Sequence, residues 1–339
     1  MSTAFEMFAP TILKVYHRDK EAFWAAVMAP FLENNVSLVD WWQNLRVDFG
    51  LLSAFRGLDG EARRILSDFS APLGFDVSGW ESNRSQYLKD AYPIFAFLAV
   101  WMDENGLDEL LARFAEILKT GVYAVAGYGI LDANVDKNTP SPVEILTAQA
   151  MIAEYEDLAL EIFGVTPVNL DIMYKMRRLF LDAEIKEKFW RGKASPYSLE
   201  HPEQLGAKGA NAVTPFMLCL ERLGRASQID DYWEVFLQFG AAIQMIDDWQ
   251  DLEGDLAAGH YSYVTLGYPG LPEMRDPQET ARLLRSDKKR IAETYVLSQR
   301  MLRRSREIIH KLGDAYIGRF VDVTELRMER YFRKELKVG

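Results

Sequence analysis

The sequence is poor in cysteine and in positive charge, and each shortage excludes a class of function. Cys219 is the one cysteine among 339 residues, so the chain can form no internal disulfide framework and no zinc site built from several cysteines. Acidic residues outnumber basic ones and leave a net charge of −11. This balance argues against nucleic acid as a partner and against standing attachment to an anionic membrane.

Long apolar stretches are also missing. The first residues, Met1 to Glu6, lack the basic start and apolar run of a signal peptide, and no window approaches the roughly 18 uncharged apolar residues of a membrane span. Apolar residues make up 49% of the chain and charged residues 26%, a balance typical of a globular protein with a large core. The composition predicts a soluble, cytoplasmic protein without a membrane anchor.

Strand-like alternation is absent, and the apolar residues recur with helical spacing along the whole chain. Ser141 before Pro142 is typical of a cap and first helical position. Two long irregular segments, 191–202 and 259–277, have a length usual for functional loops or disorder. No linker or repeat divides the sequence, which predicts one all-helical domain over 1–339. The predicted helices cover 19–34, 37–54, 60–69, 84–104, 106–135, 142–163, 168–190, 204–223, 229–256, 277–311 and 314–335.

A first acidic cluster follows an apolar helical stretch, 236–243. Asp247, Asp251 and Asp255 recur every four residues, and Asp248 stands beside them, so the first three share one helix face. Like charges at this spacing oppose helix formation, as do acidic groups near a helix C-terminus. A bound cation would compensate, and oxygen ligands without nearby histidine or cysteine favour Mg²⁺. The alternative is a solvated acidic helix end.

A second acidic pair, Asp132 and Asp136, follows the apolar, glycine-bearing stretch 121–131. Taken alone, this spacing favours a solvated acidic pair over a metal site. If the two acidic helices face each other across a bundle, they form an acidic mouth. Mg²⁺ bound there would bridge the carboxylates to a substrate diphosphate.

The pattern Gln244-x-x-Asp247-Asp248-x-x-Asp251, with Gly240 before it, resembles the second aspartate-rich motif of trans-prenyl diphosphate synthases. Asp132-x-x-x-Asp136 looks like the first motif of squalene-synthase-like members and of some bacterial terpene cyclases of the prenyl-synthase type. The resemblance covers about 105–270 and is specific at the second motif. It implies the all-α bundle of class I isoprenoid synthases around a central apolar cavity, closed by diphosphate and a cluster of about three Mg²⁺ ions.

The same resemblance implies roles for individual residues. Four aspartates would be catalytic metal ligands, with two further candidates beside them, and four polar or basic side chains would contact the diphosphate. The metal ligands are Asp132, Asp136, Asp247 and Asp251, with Asp248 and Asp255 as the further candidates. The diphosphate contacts are Arg178, Lys208, Gln244 and His260.

Departures from the prenyl-synthase pattern favour cyclisation over chain elongation. The first motif has only two aspartates, and Lys137 to Pro140 follows without paired arginines. No early Gly-Lys is present, and Ala212 stands where that family has a lysine. We therefore expect a Mg²⁺-dependent terpene synthase that ionises farnesyl or geranylgeranyl diphosphate and cyclises the cation among aromatics such as Tyr128 and Trp249. The alternatives are a chain-elongating or head-to-head prenyl transferase and a non-catalytic helical binding protein. A homodimer is common among enzymes that resemble this one.

Overall fold

The computed structural model describes residues 3–33, 51, 57–74, 85–135, 140–190, 201–268 and 276–337. Within them the regular structure is helical and contains no strand, which confirms the predicted all-α class. None of the helices in these ranges is long and apolar enough to cross a membrane. The α-helices are α1 (Ala4–Arg18), α2 (Lys20–Glu33), α3 (Leu58–Ser70), α4 (Ser85–Glu104), α5 (Asp108–Ala112), α6 (Phe114–Val135), α7 (Pro142–Phe163), α8 (Pro167–Trp190), α9 (Ala210–Arg222), α10 (Ile229–Gln250), α11 (Leu252–Ala258), α12 (Pro277–Ser286), α13 (Lys288–Leu312) and α14 (Ala315–Lys337). Short 3₁₀ segments lie at Ala71–Leu73, Pro202–Gly209, Ala226–Gln228 and Tyr263–Thr265.

Several helix ends follow from local capping chemistry. The Ser141 side chain accepts a hydrogen bond from the backbone N–H of Glu144 at the start of α7, as the Ser-Pro pair predicts. No helix was predicted before residue 19, but α1 lies there. It begins with a capping box, in which the side chains of Thr3 and Glu6 each accept a hydrogen bond from the other residue's backbone N–H. The predicted helix 277–311 is broken at Asp287, whose side chain caps α13. The predicted helix 37–54 lies outside the described residues except for Leu51.

Contacts between residues group the chain into two compact units. Unit 1 comprises Met1–Met173 and Thr214–Ala226, and unit 2 comprises Tyr174–Val213 and Ser227–Gly339. The prediction that the chain forms one domain stays a prediction.

Unit 1 is built around α6, which packs against α1, α3, α4 and α7. Two glycines on α6 permit this packing. A Cβ at Gly121 would lie 2.1 Å from the Phe95 ring, and one at Gly127 would lie 2.8 Å from Ile152. Because a larger side chain would clash at both places, these glycines let α4 and α7 approach α6 closely.

Unit 2 is built around α10, which packs against the 3₁₀ segment Pro202–Gly209 and against α13 and α14. The 3₁₀ segment meets α10 at two glycines. A Cβ at Gly206 would lie 2.1 Å from the carbonyl oxygen of Leu237, and one at Gly240 would lie 3.2 Å from the Cα of Gly206. The backbones therefore touch directly, two turns before the acidic end of α10.

Candidate functional site

The acidic cluster of the second motif lies where α10 ends and α11 begins. Asp251 forms the junction between the two helices. Its N–H donates to the carbonyl of Asp247 at 2.9 Å, and the N–H of Asp255 donates to the carbonyl of Asp251 at 2.9 Å. Helical hydrogen bonding thus continues through the junction, so Asp247, Asp251 and Asp255 keep the one-turn spacing predicted from the sequence.

Asp247 is held by a buried arginine from α14. The Nη2 of Arg327 donates to Oδ1 of Asp247 at 3.2 Å, and the two side chains are 8% and 38% exposed. Loss of hydration raises the pKa of Asp247, the charge of Arg327 opposes that rise, and the charge of Asp251 adds to it. Asp247 is therefore a poorly hydrated carboxylate with Arg327 as its counter-charge and the exposed Asp251 as a neighbour of like charge.

Asp248 faces the segment that follows α11. Its Oδ1 accepts from Nε2 of Gln244 at 3.1 Å, and its Oδ2 accepts from the backbone N–H of Tyr263 at 3.1 Å. The residue is 5% exposed. The bond to Oδ2 thus ties the segment after α11 to α10, and the bond to Oδ1 lets Gln244 support a carboxylate of its own motif within α10.

Two arginines from the following helices fix the backbone around this junction. The Nη2 of Arg285 donates to the carbonyls of Trp249 and Gln250 at 3.3 Å each, which places a cation at the C-terminal end of α10, where the helix dipole favours it. Arg290 donates to the carbonyls of Val264 and Leu266. Together they hold the end of α10 and the 3₁₀ turn after α11 to α12 and α13.

A tyrosine completes the surroundings of the two aspartates. The pKa of Tyr331 is raised, mainly by burial and then by the charge of Glu335, and the charges of Asp247 and Asp251 raise it further, while Arg285 lowers it. The negative charges of both carboxylates therefore act on the phenol. The phenol stays protonated at neutral pH and can serve as a hydrogen-bond donor.

The other predicted site residues lie at several places. Asp132 is half-buried on α6 in unit 1, and Asp136 lies outside the described residues. Arg178 is 67% exposed and lies 3.7 Å from Asp182 on its own helix. Lys208 lies 3.9 Å from the buried Glu184. The backbone N–H of His260 donates to the carbonyl of Asp255 at 2.7 Å, which places it within one turn of the acidic cluster. Six of the predicted site residues thus lie around the junction of α10 and α11. They are Gln244, Asp247, Asp248, Asp251, Asp255 and His260.

Arg327 and Tyr331 were not among the site residues predicted from the sequence. Arg327 is separated from Asp247 by 80 positions, too far for any helical spacing rule to connect them. The sequence carries one signal, the one-turn spacing of Arg327 with the helix positions Phe320, Thr324 and Tyr331, and the structure buries all four. A charged residue in a buried stripe needs a partner, and that need marks Arg327 as a residue of a polar site.

The carboxylates at this junction fit a magnesium ion only if oxygens of a substrate complete its coordination shell. Among the described residues, no three His, Cys, Asp or Glu side chains form a group able to hold a metal. Mg²⁺ commonly binds through one or two carboxylates plus water and substrate phosphates rather than in an all-protein cage. Asp247 and Asp251 offer that pair, and their mutual repulsion is the electrostatic condition that a divalent cation relieves.

Comparisons with protein-family models, with curated proteins and with solved structures found no match to this chain.

Proposed function

We propose that the protein is a Mg²⁺-dependent class I terpene synthase, which ionises a linear prenyl diphosphate and cyclises the resulting cation. The observation that supports this best is the pair Asp247 and Asp251. Two carboxylates share a helix face, one of them in a poorly hydrated position, at the end of a helix rich in apolar residues. An arrangement that costs stability without a ligand is typical of a functional site.

Asp247 and Asp251 would hold the magnesium in this proposal, with Asp255 one turn further along. When bound, Mg²⁺ would stabilise the charge that develops on the departing diphosphate. The chain itself supplies order around the pair. Asp248 holds the turn after α11 through the N–H of Tyr263, and Arg285 holds the last carbonyls of α10. The backbone that carries the carboxylates is thereby held in place before any ligand arrives, which favours efficient electrostatic stabilisation.

The choice of cyclisation rests on the sequence. The paired arginines that a chain-elongating enzyme has after its first motif, and the lysines of its basic substrate sites, are missing from their usual positions. The substrate would be farnesyl or geranylgeranyl diphosphate.

A product assay with each diphosphate tests the proposal. Purified protein is incubated with Mg²⁺ and farnesyl or geranylgeranyl diphosphate, with and without isopentenyl diphosphate, and the products are identified by mass spectrometry. We expect a cyclic hydrocarbon or alcohol and inorganic diphosphate from the single substrate. A longer linear diphosphate that forms only with isopentenyl diphosphate would instead identify a chain-elongating transferase, and absence of turnover with every substrate would favour a binding protein.

Variants connect this activity to the acidic pair. Replacing Asp247→Asn and Asp251→Asn together should lower kcat/KM by at least about a hundredfold, since metal stabilisation of a leaving group contributes several kcal/mol. Glu253→Gln is the matched control, because Glu253 is an exposed carboxylate two residues beyond Asp251 and should leave activity nearly unchanged. Full Mg²⁺-dependent turnover in the double variant would refute the metal assignment.

A further inference from the structure

Arg327 is a buried charged group of unit 2. It is 7% exposed, yet a guanidinium carries five N–H donors and, within the part of the chain that the structure describes, this one makes a single hydrogen bond, to Oδ1 of Asp247 at 3.2 Å. Its buried Nε has no hydrogen-bond partner among the described residues. A buried arginine with donors to spare is prepared for an anion with more acceptor oxygens than Asp247 presents.

The partner of Arg327 is itself the carboxylate proposed to bind metal. A divalent cation on Asp247 would bind the carboxylate whose Oδ1 now accepts from the guanidinium, and it would repel the arginine as well. Metal and arginine therefore compete for Asp247. A phosphate-bearing ligand that arrives with the metal brings new oxygens to the place where the arginine loses its partner.

We propose that Arg327 exchanges partners during ligand binding: it neutralises Asp247 in the metal-free protein and turns to a phosphate oxygen of the ligand once metal occupies that carboxylate. The inference rests on the proposed function for the metal at Asp247, and it adds a diphosphate-binding residue from α14. The exchange predicts that loss of Arg327 changes the affinity for metal alone and the affinity for diphosphate in opposite directions. Without Arg327, metal alone should bind more tightly and diphosphate should bind more weakly.

The test measures two affinities for Arg327→Gln. Mn²⁺ binding in the absence of substrate, followed by electron paramagnetic resonance, should tighten about tenfold, because no guanidinium has to be displaced. Binding of inorganic diphosphate at saturating Mg²⁺, followed by calorimetry, should weaken about tenfold, because a charge-assisted hydrogen bond is lost. Arg333→Gln is the control, since Arg333 is a 66% exposed arginine of the same helix, paired with Glu329, and should change neither affinity.

A merely structural role for Arg327 would give a different result. If Arg327 only holds Asp247 in place, its loss weakens Mn²⁺ binding or leaves it unchanged, and either result overturns the exchange. Arg327→Lys keeps the charge and replaces the fork of donors by an ammonium. It should therefore bind Mn²⁺ nearly as the unaltered protein does and bind diphosphate more weakly, and it serves as the test if the glutamine variant does not fold.

A further variant separates failure of the exchange from failure of the proposed function. The Asp247→Asn, Asp251→Asn protein should lose Mn²⁺ binding at this site. If it binds Mn²⁺ as well as the unaltered protein does, the metal assignment falls and the exchange falls with it. If it loses Mn²⁺ while Arg327→Gln gains no affinity, the exchange alone is wrong.

Discussion

Asp251 stands one helical turn beyond Asp247, and its charge raises the pKa of that carboxyl group. Like charges at this spacing destabilise a helix by about 0.2–0.5 kcal/mol. We therefore expect Asp251→Asn to raise the free energy of unfolding of the metal-free protein by a few tenths of a kcal/mol at neutral pH, while it impairs Mg²⁺-dependent activity. Urea unfolding in the presence of a chelator measures the first effect, and Glu253→Gln again serves as the control.

The gain in the free energy of unfolding from Asp251→Asn should decrease as pH falls. A carboxyl group whose pKa is raised on folding costs no stability where it is protonated, and the cost develops as pH rises through its folded pKa. The advantage of Asp251→Asn should therefore be present at neutral pH and disappear as Asp247, whose pKa is raised, becomes protonated in acid. A variant less stable than the unaltered protein at neutral pH would show that Asp251 makes a favourable contact in the metal-free state.

Residues of the site differ in how far the sequence could identify them. The shared face of Asp247 and Asp251 follows from helical spacing alone, and the structure preserves it across the junction at Asp251. Arg327 could not be paired with Asp247, because their meeting depends on how α14 packs on α10. The hydrogen bond from the backbone of Tyr263 to Asp248 also depends on tertiary packing, since it requires the turn after α11 to fold back onto α10.

At the scale of the element, the most demanding contact is that between the 3₁₀ segment Pro202–Gly209 and α10. The Cβ of an alanine at Gly206 would lie 2.1 Å from the carbonyl oxygen of Leu237 and 2.9 Å from the backbone nitrogen of Ala241. Because both obstacles are backbone, no side-chain rotation can relieve them. Gly206→Ala should therefore lower the free energy of unfolding by about 1–3 kcal/mol, the range for overpacking a tight contact.

Gly209→Ala provides a matched control in the same segment. A Cβ at Gly209 would meet no atom within 4 Å, so this variant should stay within about 0.5 kcal/mol of the unaltered protein. Denaturant unfolding followed by circular dichroism compares the two. Equal stability of the two variants would mean that the segment can move away from α10 without cost.

The same segment shows why helix type was harder to predict than helix position. The sequence predicted one helix over 204–223, whereas the structure has a 3₁₀ segment to Gly209 and α9 after it. Gly206 and Gly209 weaken α-helical preference, but the need for close approach to α10 is a tertiary requirement. By contrast, α7 begins and ends at the predicted residues, because Ser141, Pro142 and Gly164 act locally.

For the whole molecule, the net negative charge of the chain opposes binding of a negatively charged diphosphate. A chain with net charge −11 repels a free diphosphate at long range, and the carboxylates at the end of α10 increase that repulsion locally. A diphosphate already complexed with Mg²⁺ carries less negative charge and offers the cation that Asp247 and Asp251 lack. The overall charge is therefore compatible with the proposed substrate only when the metal accompanies it.

The helical class of the chain could be predicted from apolar spacing, but the grouping into two units could not. The boundaries of the units fall inside α8, between Met173 and Tyr174, inside α9, between Val213 and Thr214, and inside the 3₁₀ segment Ala226–Gln228. Because helical segments cross all three boundaries, no linker rich in glycine or proline marks them. Such grouping arises from contacts between distant segments, which local sequence patterns do not encode.

The first motif has Asp132 as its described residue, which belongs to unit 1, while Asp247 and Asp251 belong to unit 2. If turnover requires both motifs, as the proposed function implies, Asp132→Asn should lower kcat/KM by about a hundredfold or more. Binding of Mn²⁺ alone should persist through Asp247 and Asp251. Asp171→Asn removes an exposed carboxylate of the same unit and should leave both properties unchanged. If Asp132→Asn keeps full activity, the first motif has no part in the reaction, and the chemistry must depend on the carboxylates at the junction of α10 and α11 without it.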